Sequence, residues 1–147
     1  MNQVTPLTRR RAIFAVLLAL AGVGFFLWLK AEHVPAVPIQ TAQAFIDYLH
    51  ANNYESASAL TMRNGYTGKT PDELVVASRR QLCKLTRRVG TFPFQSNGNR
   101  LRRWLSGREV EMPEVQVEFV GDCLFGVTLR HVGGGQWKVY NFASHAG

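Results

Sequence analysis

The side chains able to act as a general acid or base in this 147-residue chain are four histidines, His33, His50, His131 and His145, and ten carboxylates. General acid–base catalysis needs such a group inside an apolar site, with a partner that orients it. Asp47 falls off the apolar face of its segment, and Asp122 sits in a Gly121-Asp122 turn. Glu114 and Glu118 alternate with Val115, Val117 and Phe119, which places them on the wet side of a strand. His131 shares the parity of Cys123, Phe125, Val127 and Leu129 and so aims inward. It nevertheless stands at a strand end beside three glycines, and the sequence names no group that would orient it for catalysis, so a structural role is expected. No Cys, His, Asp or Glu set has metal-site spacing. Gly133, Gly134 and Gly135 precede a strand rather than a helix, so they do not form a phosphate loop. No catalytic residue, metal ligand or cofactor is expected.

Cys83 and Cys123 are the only cysteines. In an oxidising compartment they form a disulfide closing a loop of about 40 residues; otherwise they are two buried thiols behaving as small hydrophobes. Between Glu73 and Glu109 there is no acid, whereas Arg79, Arg80, Lys84, Arg87, Arg88, Arg100, Arg102, Arg103 and Arg108 supply nine positive charges. Arg80, Lys84, Arg87, Arg88, Arg102 and Arg103 are therefore candidates for a patch that meets anionic lipid headgroups or an acidic protein, against the plainer reading of a solvated face. Nucleic acid is a poor fit, since Phe92, Phe94 and Trp104 are too few for a stacking platform.

What must position these groups starts with Ala12 to Leu29, eighteen residues without charge, amide side chain or proline. As a helix this run is roughly 27 Å long, close to the hydrocarbon thickness of a bilayer. Arg9, Arg10 and Arg11 precede it, and only Lys30 follows before Glu32. The excess of arginine keeps the N-terminus in the cytoplasm and exports the rest, which in a bacterium means an inner-membrane anchor with a periplasmic domain. A cleaved signal peptide has the same order of regions, with Ala31 and Ala36 as cleavage points. The apolar run, however, exceeds the roughly 7 to 15 residues usual there. Ala15, Ala19 and Gly22 share a small-residue face that would admit a second copy of the helix. Of the +7 net charge, four positive residues flank the span; thirteen Lys and Arg against ten Asp and Glu remain outside it.

Residues 1–11 thus read as a cytoplasmic tail, 12–29 as the anchor, 30–40 with Pro35 and Pro38 as an extended spacer, and 41–144 as one exported domain. Thr41 is placed to cap a helix with Ala42, Phe45, Ile46 and Leu49 on one face, broken at Asn52-Asn53. A short helix from Tyr54 to about Thr61 follows. Thr70-Pro71-Asp72-Glu73 starts a third, running to about Leu85 with Val75, Ser78, Leu82 and Leu85 inward. The period then becomes alternating: Val89 to Phe94, Leu101 to Leu105, the strand around Val115 to Phe119, Cys123 to Leu129, and Gln136 to Ala143 with Trp137, Val139, Tyr140 and Phe142. Helices followed by an antiparallel meander of four to five strands give an α+β fold.

The phrases AQAFIDYLHANNYESASAL at 42–60 and GGGQWKVYNFAS at 133–144 resemble those of the nuclear-transport-factor-2-like, or cystatin-like, cone superfamily, over about Thr41 to Ser144. The resemblance implies three helices packed on a curved antiparallel sheet, as in small membrane-anchored periplasmic domains. Isomerases, cyclases and dehydratases belong to that superfamily, and so do non-catalytic assembly factors of secretion systems. The favoured expectation is a non-enzymatic, single-pass protein whose periplasmic domain docks an envelope protein. The alternative is a small apolar-ligand binder or isomerase-like enzyme whose cone is lined by Phe45, Leu82, Phe125 and Trp137, with His131 as its base.

Overall fold

The uncharged run that begins at Ala12 lies within helix α1 (Pro6–Lys30) of a computed structural model, which describes residues 6–145. The first five residues of the expected tail and the last two of the chain lie outside the described residues. Side chains from Arg10 to Trp28 are all exposed, and Arg10–Lys30 is long and apolar enough to cross a membrane, a property that anchors share with signal sequences. After α1 come α2 (Ala36–His50), α3 (Tyr54–Ala59), α4 (Pro71–Gln81), β1 (Leu85–Phe92), α5 (Asn97–Leu105), β2 (Glu114–Gly121), β3 (Leu124–His131) and β4 (Trp137–His145). The class is α+β, with one four-stranded antiparallel sheet in the order β1-β2-β3-β4.

The chain divides into two compact units. One holds α1 up to His33 with Gln95–Val110, which includes α5; the other holds Val34–Phe94 and the residues from Glu111 onward.

In the second unit, Ala42, Phe45, Ile46 and Leu49 are buried on one face of α2, as their spacing demands. The helix begins at Ala36 rather than at Thr41, so the second half of the expected extended spacer, residues 36–40, is helical while residues 31–35 are not. Pro38 is accommodated because the first turn of a helix has no intrahelical acceptor for its N–H groups, and a proline there forfeits nothing. Thr41 lies inside the helix, its hydroxyl donating to the Val37 carbonyl at 3.0 Å. Asn52 takes φ 56° and ends the turn, and the Asn53 side chain caps α3 by accepting from Ser56 N at 3.2 Å.

Thr70 caps α4, accepting from Glu73 N at 3.3 Å, while Glu73 reaches back to accept from Lys69 N at 2.8 Å. This helix stops at Gln81, earlier than its apolar pattern implies, because Leu82 turns extended on the way into β1. Leu74 and Ser78 are its buried residues, and Val75 is only half-buried.

The strands β2 and β3 bury Val115, Val117, Phe119, Phe125, Val127 and Leu129, which face α2 residues in one core. Between β3 and β4 the pairing shifts at Thr128/Leu129, leaving Tyr140 as an extra residue. That bulge changes the parity: Trp137, Val139 and Phe142 point into the core, whereas Tyr140 does not.

In the first unit, Asn97–Leu105 is a helix where alternation implied a strand from Leu101 to Leu105. Ser96 is its cap, accepting from Asn99 N at 3.2 Å. The sequence Ser-Asn-Gly-Asn reads as a turn, but a serine followed by Leu101, Trp104 and Leu105 at i, i+3 and i+4 equally starts an amphipathic helix.

Candidate functional site

Of the five residues expected to line a ligand cavity, Phe45, Phe125 and Trp137 belong to the buried core and Leu82 packs against it. Phe45 and Phe125 are fully buried and packed on Phe142, with ring centroids 5.4 and 6.0 Å apart, so they are core. Trp137 is also buried, and Leu82 packs partly buried against that core. His131 is half-exposed, its ring 5.4 Å from that of Trp137 and its backbone N–H donating to the Pro113 carbonyl at 3.1 Å. It keeps the inward parity, directly opposite Trp137 in the register, but is only half-buried because it is the last residue of β3.

A groove of about 90 Å³ lies between α2 and the sheet, lined by Gln43, Ile46, Asp47, His50, Leu85, Arg87 and Phe119. None of the five candidates contributes to it. Small-molecule sites run from roughly 300 to 1,000 Å³, so this groove suits water or a side chain rather than a substrate. Gln43 donates to Asp47 at 2.9 Å on its rim. Among the described residues no three His, Cys, Asp or Glu side chains are grouped so as to hold a metal ion.

The arginine-rich stretch separates by unit. Arg80, Lys84, Arg87 and Arg88 are exposed in the second unit, from the end of α4 into β1, while Arg102 and Arg103 belong to α5 in the first.

The two edges of the sheet differ. Along β4, Val139 N donates to the Leu60 carbonyl and Met62 N donates to the Val139 carbonyl, each at 2.9 Å. Asn64 Nδ2 donates to the Tyr140 carbonyl at 2.9 Å, and Ser144 N and Oγ donate to Gln81 Oε1 at 2.9 and 3.0 Å. That edge is closed by the loop after α3 and by α4. Along β1, no backbone of the described residues pairs with the edge opposite β2. Arg87, Arg88 and Val89 are exposed there, and the pairing to β2 is interrupted between Leu85 and Arg87 and between Arg88 and Gly90. Such irregularities and like charges are devices that discourage indiscriminate strand addition at an open edge.

Cys83 and Cys123 are joined by a disulfide, with Cα atoms 6.1 Å apart, beside the start of β1. Arg130 donates to Glu114 at 2.7 Å and lies 3.4 Å over the Tyr140 ring. The hydrogen bond to Glu114 holds its guanidinium above the ordinary arginine pKa. Sequence reading missed the open edge of β1 and the placement of α5; the first needs the strand order, and the second was hidden by the turn-like Ser96-Asn97-Gly98-Asn99. No protein-family model, curated protein or solved structure matches the chain.

Proposed function

We propose that this chain is a non-enzymatic single-span protein of the bacterial inner membrane, with its N-terminus in the cytoplasm and its α+β unit in the periplasm, where it docks an envelope protein. The observation that carries the docking role is the asymmetry of the sheet: β4 is sealed, and β1 is open with Arg87, Arg88 and Val89 on display. An extended segment with acidic flanks fits that edge, its backbone continuing the ladder and its carboxylates meeting the arginines.

Orientation rests on Arg9, Arg10 and Arg11 against Lys30 and Glu32. Retention of the anchor is supported by the contacts of Gln95–Val110 with the end of α1: Asn97 N donates to the Ala31 carbonyl and His33 N to the Gln95 carbonyl. Cleavage at Ala31 or Ala36 would remove α1 from that unit. Three helices followed by a meander support a nuclear-transport-factor-2-like cone. Ala15, Ala19 and Gly22 stay exposed on α1, which leaves that face available to a second copy. The ligand-binding or isomerase-like alternative has less behind it, because Phe45 and Phe125 are core.

A photoreactive residue at Val89 in living cells tests the docking edge, with one at Val76, exposed on α4, as the control. The expected outcome is a discrete adduct with one envelope protein at Val89 and none at Val76. Identical patterns at both positions would refute the edge as the docking site.

A further inference from the structure

We infer that α5 lies in the headgroup layer of the membrane, at the outer end of α1, with Trp104 and Leu105 in lipid and its arginines against lipid phosphates. The inference rests on α1 spanning the bilayer and adds a second, parallel attachment to it. Three observations within the first unit carry it. The beginning of α5 is fixed to the end of α1: Asn97 Nδ2 donates to the Trp28 carbonyl at 3.1 Å, Asn97 N donates to the Ala31 carbonyl at 3.0 Å, and a Cβ at Gly98 would stand 3.0 Å from the Leu29 carbonyl oxygen. Trp28 stacks on Phe25 at 5.8 Å, and Lys30 lies 5.7 Å from the Phe26 ring, the composition of an interfacial girdle. Docking at that level puts α5 where headgroups begin.

The helix itself is strongly two-sided. Leu101, Trp104 and Leu105 recur at i, i+3 and i+4, and Arg100, Arg102 and Arg103 occupy the remaining arc. A helix in a water-soluble body buries such an apolar stripe. Here no residue of α5 is buried; Trp104 is 64% and Leu105 70% exposed. The helix itself carries no acid to repel phosphate; the acids of its unit are Glu109, whose carbonyl accepts from Arg103 Nε at 2.7 Å, and Glu32, paired with Ser96 at the helix start. An exposed apolar stripe flanked by arginines, fixed to the rim of a span, is the chemistry of an interfacial helix, and the occupant of that stripe is the bilayer.

The tryptophans make the test direct. The full chain, reconstituted in vesicles of phosphatidylcholine and phosphatidylglycerol, is compared as wild type, Trp28→Phe, Trp104→Phe and the double variant, using lipids brominated either near the headgroup or near the tail end. Trp137 is buried in the second unit and serves as the unquenched background. The expected result is that Trp28→Phe still loses emission to shallow bromine, more than to deep bromine, and that the double variant loses none. Should Trp28→Phe be unquenched while Trp104→Phe is quenched, α1 is in lipid and α5 is not, which overturns the inference and leaves the span intact. The same pattern appears if a second copy covers the stripe, and it overturns the inference equally. Absence of quenching in both single variants would refute the span and the interfacial helix together.

Discussion

Gly121 sits so close to Lys84 that a β-carbon at position 121 would run into the Lys84 carbonyl oxygen and come within 2.7 Å of Leu85 Cα. Asp122 N donates to that same carbonyl at 2.9 Å, and Cys83 is bridged to Cys123 one residue on either side. Residues 83–85 and 121–123 therefore form a clasp that fixes where β1 starts against β2. The glycine is required for space rather than for a left-handed turn.

Gly121→Ala should destabilise the second unit by about 1–3 kcal/mol, since the obstruction is backbone and cannot rotate away. Gly65→Ala, where nothing lies within 4 Å, provides the comparison and should change little. Urea unfolding of both variants checks this; equal midpoints would show that the clasp yields freely.

Replacing Cys83 and Cys123 by serine should cost about 4 kcal/mol in the chain-entropy account, because the closed loop spans a sequence separation of 40. Chemical denaturation with and without reductant measures it, and the serine variant should match the reduced wild type. A reductant-insensitive wild type would remove the bridge from the account.

The Arg130 guanidinium is raised above its ordinary pKa, chiefly by its hydrogen bond to Glu114. A group raised on folding contributes fully below its unfolded pKa and loses that contribution only as pH climbs through the folded one. The stability difference between wild type and Arg130→Met should therefore stay constant from neutral to moderately alkaline pH. Thermal melts across that range check it; a difference that shrinks there would contradict the assignment.

Asn97→Ala removes the side-chain bond to the Trp28 carbonyl and leaves the backbone bond to Ala31. Hydrogen exchange on the chain in nanodiscs should show residues 97–105 opening more readily, by about 1 kcal/mol, with β2 and β3 unchanged. Unaltered exchange in α5 would mean that the amide does not hold it.

The parts of the fold legible in the sequence are those fixed by local periodicity and caps. Ala42, Phe45, Ile46 and Leu49 name the buried face of α2, Thr70-Pro71 starts α4, and Val115, Val117 and Phe119 alternate as they do in β2. What escaped depended on competition between local signals or on distant pairing. Ser96 to Asn99 serves a turn and a helix start equally, and burial cannot arbitrate, because the apolar stripe of α5 is not in a protein core. Phe142 joins the inward row of Trp137 and Val139 because of a bulge at Tyr140, which no alternation pattern contains. The basic residues were visible as a run, but their division between two units follows from tertiary structure. Nothing local marks β1 as an open edge either, since that is a property of strand order.

Protease digestion of spheroplasts carrying the full chain with a C-terminal tag tests the central claim, a retained span with the α+β unit outside the cytoplasm. The account predicts loss of the tag in intact spheroplasts while a cytoplasmic control survives, with an N-terminal fragment containing α1 left in the membrane pellet. A tag that persists while an exported control is destroyed would contradict it, and so would a mature chain already shortened to begin after Ala31 or Ala36.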